Sequence, residues 1–270
     1  IPNTVAFDLD GEEYDLYKAV TTYVQRQSVK ALSCGDDNRA RAVGFIMAMY
    51  QRRMASSTHS LNQSLLRREK NLKALLETAS KLGDVPLPEV PTEEEWEEMD
   101  DAERETRERE LEKATLAHRK PDLEAELKDL GVLIQQAQKV EAGGNEMKLR
   151  RLREQMTNQG VFTDPNQRLL VFTEYKDTLE YLVANLRKWG LTVGQIHGSM
   201  KPGSRDEEGT RLNAERNFWE LKTQVLVATE AAGEGINLQC CHVLFNYDIP
   251  WNPNRLEQRM GRIHRYGQNK

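Results

Sequence analysis

The last hundred residues of this 270-residue chain predict an α/β fold, a doubly wound parallel sheet, preceded by N-terminal helices and a helical insertion. Three observations carry that expectation. From Arg168 onward, short apolar runs alternate with segments of helical length, and strands separated by such helices pair in parallel through crossovers. Before Gly83, apolar residues recur at helical spacing in three successive segments. Between these regions, Glu93 to Val140 is rich in Glu, Arg, Lys, Leu and Ala, bounded by Pro86, Pro88 and Pro91 on one side and Gly143-Gly144 on the other. The expected domains are residues 1–82, a helical region packing on the last domain; 83–143, an acidic helical or coiled-coil insertion; and 144–270, the α/β domain.

In order, Thr4–Leu9 alternates weakly, as a short strand would. Gly11 to Val29 reads as a helix with Tyr14, Tyr17, Val20 and Val24 on its inner face. Arg39 to Met54 follows, with Val43, Ile46, Met47 and Tyr50 inward, and then Ser56 to Lys81, striped by Leu61, Leu65, Leu72, Leu75 and Leu76. The methionines there read as core filler. Arg52-Arg53 and Arg67-Arg68 read as a solvated face, with phosphate contact as the alternative. Thr92 and Glu95 stand as a capping box. Leu111, Leu116, Leu123, Leu127, Leu130 and Ile134 then recur at near-helical spacing around a break at Pro121. Glu146 to Thr157 is a basic helix. The final alternation sets strands at Arg168–Thr173, Thr192–His197, Gln224–Thr229 and His242–Asp248, with helices at Tyr175–Trp189, Arg205–Leu221 and Asn254–His264.

The net charge of −5 is unevenly spread. Asp84 to Glu141 carries 19 acidic and 8 basic residues, so the remainder of the chain is net basic. An acidic whole therefore does not exclude nucleic acid as a partner. No apolar run is long enough for a membrane span, and the first residues are no signal peptide. Cys34, Cys240 and Cys241 form no disulfide framework, which fits a reducing cytoplasm. Cys240, Cys241 and His242 lack a second ligand pair at metal spacing, so no metal site is expected there.

In a doubly wound sheet the working loops lie at the carboxyl ends of the strands. Here those ends carry Thr173-Glu174, His197-Gly198, Thr229-Glu230 and Asp248 to Asn252. A domain that binds a nucleoside triphosphate alone needs a glycine-rich loop ending in Gly-Lys-Ser or Gly-Lys-Thr. The chain contains no Gly-Lys pair, so it is not expected to hydrolyse nucleotide unaided. Asp100-Asp101 and Asp206 to Glu208 follow no apolar strand and are rejected as magnesium motifs. The last helix carries Gln258, Arg262 and Arg265; the two arginines are three apart and share a helix face. Two guanidiniums on one face suit a polyphosphate whose charge shifts during transfer.

The segments ATEAAGEGIN and NYDIPWNPNRLEQRMGRIHRYGQ, with LLVFTEY and IHGSM before them, carry a family resemblance. In motif order, Arg168 to Gln268 resembles the C-terminal RecA-like lobe of superfamily-two helicases, specifically Swi/Snf-type DNA translocases of the bacterial branch. The Trp-Asn-Pro and the closing His-Arg-x-Gly-Gln are its specific parts. The resemblance implies that Arg262 and Arg265 are arginine fingers, with Gln258 facing the phosphates beside them. Their target would be ATP with Mg2+, held mainly by an N-terminal lobe absent from this sequence. It implies nucleotide contact near the ribose for Glu234, Gly235 and Asn237, and nucleic-acid contact for Thr173, His197, Gly198, Thr229, Trp251 and Asn252.

The expected function is the C-terminal half of an ATP-dependent DNA translocase of the bacterial cytoplasm. Its expected partners are double-stranded DNA, with RNA as the alternative, the N-terminal RecA-like lobe, and a protein docked on the insertion. The rivals are a strand-separating DNA or RNA helicase lobe and a non-enzymatic interaction module built on the acidic arm.

Overall fold

The computed structural model describes residues 4–9, 11–33, 35–78, 87–116, 120–144, 146–229, 238–250, 254–257 and 259. The chain divides into two units, Ile1–Met99 with Glu103–Arg150, and Asp100–Ala102 with Arg151–Lys270. No described helix is long and apolar enough to cross a membrane.

The first unit is helical. It contains α1 (Gly11–Ser33), α2 (Asp37–Ser56), α3 (Thr58–Thr78), α4 (Glu93–Glu98), α5 (Asp101–Thr115) and α6 (Lys120–Gly143). Residues 4–9 form no strand. Asp36 caps α2 by accepting from the amides of Asn38 and Arg39. Thr92 and Glu95 close the capping box of α4 from both sides. On α1 the inner face is Leu16, Val20, Tyr23 and Val24, whereas Tyr14 and Tyr17 are exposed. The expected stripe was thus rotated: Leu16 and Tyr23 extend the Val20–Val24 line, and the two earlier tyrosines fall outside it. Met47 and Met49 are buried, as core-filling methionines should be.

The acidic segment joins this core. Leu111, Leu116, Leu123, Leu130 and Ile134 belong to the same apolar cluster as Val20, Ile46, Leu61, Leu65 and Leu72. The expected boundary between residues 82 and 83 falls inside the unit. The acids that face inward meet bases and phenols of the first helices. Arg53 grips both oxygens of Glu108, at 3.1 and 2.7 Å, and its Nη1 donates to Ser60. Arg68 Nε donates to Glu126 at 2.5 Å, and the Tyr23 hydroxyl donates to the same oxygen at 2.7 Å. The Tyr50 hydroxyl donates to Glu112 at 2.6 Å. Burial raises the Glu112 carboxyl above its ordinary range, against the Tyr50 bond that favours its charged form. Arg53 and Arg68 are therefore neither a solvated face nor free for phosphate. Both are buried and paired.

The second unit holds the sheet: β1 (Leu169–Thr173), β2 (Val193–Ile196), β3 (Val225–Thr229) and β4 (Val243–Asn246), in the order β2-β3-β1-β4 with every pair parallel. Helix α7 (Met147–Asn158) leads in, α8 (Lys176–Lys188) joins β1 to β2, and α9 (Arg211–Trp219) joins β2 to β3. The central strands β1 and β3 are buried on both faces, which is why they read as continuous apolar runs. Arg168 fixes the opposite end of the sheet, donating to the carbonyls of Phe218, Trp219 and Cys240. Cys240 lies in a turn before β4 rather than on the strand. Burial pushes its thiol up to about 11 and that of Cys241 to about 12, which makes both poor thiolate donors.

Helix α9 is shorter than the Arg205–Leu221 predicted from periodicity. Gly203 and Gly209 have φ of +57° and +78°, so the chain turns twice before Thr210 caps the helix through the amide of Asn213. At Gly203 a Cβ would collide with the Thr210 side chain. Gly203→Ala is expected to destabilise this unit by about 1–3 kcal/mol, since it strains a left-handed residue and displaces the cap. Urea unfolding checks this, and an unchanged midpoint would mean that the loop yields freely.

Candidate functional site

The carboxyl ends of the four strands lie along one edge of the sheet, because all four run the same way. Thr173 and Thr229 are register partners at the ends of the two central strands, and both are fully buried. The Thr173 hydroxyl donates to Asp248 Oδ2 at 2.5 Å, and the Glu174 amide donates to the same oxygen at 3.0 Å. One carboxylate beyond β4 thus fixes the turn that leaves β1. The bond to charge makes each of these worth more than a neutral hydrogen bond.

A buried arginine extends the arrangement. Residues 254–257 are helical, and so is Arg259, which is 1% exposed. Its Nη1 donates to Asn246 Oδ1 and to the Asp248 carbonyl, both at 2.9 Å. Its guanidinium also lies 5.2 Å from the centroid of the Phe172 ring. The start of the last segment is therefore fastened to the ends of β1 and β4 by one side chain. Sequence reading passed over Arg259 because it is one arginine among several, and only its burial sets it apart.

On the other side of the sheet, β2 is followed by His197, Gly198, Ser199 and Met200. His197 is buried, with Nδ1 3.1 Å from the Ser199 hydroxyl. The Met200 amide returns to the His197 carbonyl. Arg211, the first residue of α9, donates from Nη2 to the Gly198 carbonyl at 2.6 Å and from Nε to the Met200 carbonyl at 3.0 Å. Arg211 was also absent from the sequence-based set.

Of the expected site residues, the structure brings Thr173, Thr229, His197 and Gly198 to this edge. Glu234, Gly235, Asn237, Trp251, Asn252, Gln258, Arg262 and Arg265 lie outside the described residues.

Residues 147–267 match the helicase conserved C-terminal domain. Over 105 residues the chain is 46% identical to the uncharacterized ATP-dependent helicase YqhH of Bacillus subtilis (strain 168), covering 39% of this chain and 18% of that protein. Over 105 residues the identity is 34% to the RNA polymerase-associated protein RapA of Vibrio parahaemolyticus, covering 38% of this chain and 10% of that protein. The chain thus spans less than a fifth of the length of these two relatives. Among solved structures, the Pyrococcus furiosus Hef helicase domain matches with a TM-score of 0.51 at 15% identity, over 94% of this chain and 50% of that one, which is a likeness of fold. The fold agrees with a RecA-like parallel α/β sheet, and the match to the helicase conserved C-terminal domain lies over the part of the chain that holds that sheet.

Proposed function

We propose that this chain is the C-terminal half of an ATP-dependent, duplex-stimulated DNA translocase of the bacterial Swi/Snf type, acting in the cytoplasm. The observation that carries the proposal is the Arg259 anchor. It starts the final segment at the ends of β1 and β4, and the sequence then continues to Gly261, Arg262 and Arg265, two, three and six residues on. In this reading Arg262 and Arg265 reach ATP and Mg2+ held by an N-terminal RecA-like lobe, with Gln258 beside them. Their guanidiniums stabilise the charge that develops on the transferred phosphoryl group. Glu234, Gly235 and Asn237 lie near the nucleotide ribose.

The nucleic-acid side consists of His197, Gly198, Thr229, Trp251 and Asn252. Thr173 belongs to the same edge, but its hydroxyl is engaged by Asp248, so its part is to shape the strand end. Contacts are to phosphates, which makes binding salt-sensitive and weakly sequence-selective. The exposed acids of α4 and α5 offer a surface to a protein partner.

The test is ATP hydrolysis by the chain together with its ATP-binding lobe, with duplex DNA, single-stranded DNA or RNA added in turn. Duplex DNA is expected to stimulate turnover most. Stimulation by single strands or RNA alone would replace the translocase with a strand-separating helicase. Absence of hydrolysis under every condition would leave an interaction module.

A further inference from the structure

We propose that Glu112 is the proton-carrying carboxyl of a buried clasp, and that its proton makes the seating of α5 against α2 and α3 depend on pH. The inference concerns the helical unit alone and stands apart from the nucleotide and nucleic-acid reading above.

Between α5, α6 and the first three helices, three buried carboxyls, those of Glu108, Glu112 and Glu126, meet two buried guanidiniums, those of Arg53 and Arg68. Arg53 binds Glu108 through Nε and Nη2, and Arg68 binds Glu126 through Nε. One carboxyl is left over. Among the described residues Glu112 forms no ion pair, and its side chain accepts one hydrogen bond, from the Tyr50 hydroxyl at 2.6 Å. A buried carboxylate with a single neutral donor is far from satisfied, whereas the neutral acid needs no counter-charge.

The groups around Glu112 act in both directions. Tyr50 on α2, with Arg68 and Arg67 on α3, favours the charged form, and Glu108, one turn earlier on α5, opposes it. Arg67 also donates to the Ser64 hydroxyl at 2.8 Å. Glu126 of α6 reaches Arg68 through its ion pair, and Tyr23 of α1 shares the same Glu126 oxygen. Burial outweighs the groups that favour charge, so the folded unit holds the Glu112 proton above the ordinary carboxylate range. Burial likewise holds the Tyr50 phenol well above its ordinary range, so the phenol keeps its proton and Glu112 is the member of the pair that titrates. The contribution of this clasp to stability is whole below the ordinary carboxylate range, and it is lost as pH rises through the raised folded value. Helix α5 is held on either side of the clasp, by Glu108 on Arg53 and, just past its end, by the Leu116 carbonyl on Arg39 Nη2 at 2.6 Å. Glu105, Arg109 and Glu110 are exposed, so that outer face is carried by a helix whose seating follows pH.

The test is an NMR titration of the full chain with carbon-13 label in its glutamate carboxyls. The Glu112 carboxyl is expected to lose its proton above the ordinary glutamate value of about 4.3, in a step absent from Glu112→Gln. Tyr50→Phe should move that step further up, because it removes the hydrogen bond that favours the charged form. A carboxyl that merely fills space would not respond. Amide exchange along α5 gives the second measurement. Between the unfolded and folded values, the wild-type opening constant should rise about tenfold per pH unit relative to that of Glu112→Gln, the slope of one proton released on opening. Glutamine has the size of the neutral acid, so the variant should keep α5 seated across the same range. A Glu112 carboxyl that titrates within the ordinary range would overturn the proposal, and so would a ratio of wild type to variant that does not change with pH. Should Glu112→Gln not fold, the wild-type titration and its response to Tyr50→Phe decide the matter alone.

Discussion

Arg265→Ala, in the chain together with its ATP-binding lobe, is expected to lower duplex-stimulated ATP turnover by about 10³–10⁵-fold. An arginine finger meets charge that exists fully only in the transition state, so kcat should fall far more than the apparent affinity for ATP. Arg262→Ala should behave similarly, and the double variant should lose little more than either single one, since the two guanidiniums act on one group. Arg259→Ala separates anchoring from chemistry. It removes the ties to Asn246 and Asp248, and it should reduce turnover while loosening amide protection at Glu174. Steady-state kinetics with saturating duplex would check the series. Unchanged turnover in Arg265→Ala would end the arginine-finger assignment.

Arg68→Met should destabilise the helical unit by about 3–5 kcal/mol, because it leaves the Glu126 carboxylate buried without its counter-charge. The cost arises from burial rather than from the bond alone: both side chains are almost fully enclosed, 2% and 3% exposed. Converting both partners, Arg68→Met with Glu126→Leu, should recover most of that loss, since an apolar pair leaves no charge unpaired. The Tyr23 hydroxyl would still lose its acceptor, so recovery should stop short of the wild type. Amide exchange in α3 reads the effect within this unit. A single variant as stable as the wild type would show that the buried pair contributes no net stability to the unit.

The α/β part was legible because its signals are local. Apolar runs at Leu169–Thr173 and Val225–Thr229 become the central strands with the expected limits or within a residue of them. The strand-end residues follow from the parallel arrangement. What the sequence hid depends on partners far away along the chain. Arg53 and Arg68 look like surface arginines until Glu108 and Glu126, 55 and 58 residues later, are brought against them. Likewise, Glu112 counts toward an acidic face but points at Tyr50. Arg259 and Arg211 were missed for a related reason: a guanidinium that holds backbone carbonyls has no spacing rule to reveal it. The tilt of the Tyr14–Tyr17 face and the early turns before α9 were errors of phase and of glycine conformation, both decided by packing and φ rather than by composition.

The burial of Glu108, Glu112 and Glu126 has an evolutionary side. A segment grafted onto a surface can be trimmed or lost with little penalty. Here the segment supplies counter-charges to residues of the first helices, and those helices carry bases that are tolerable only in its presence. Loss of the segment would strand Arg53 and Arg68 together with the apolar positions covered by Leu123 and Leu130. Its removal would then require several compensating substitutions at once, so descent with small steps tends to retain it. Proteins that share this helical unit are expected to vary the exposed faces of α4 and α5 freely while keeping acid opposite base at the inward positions.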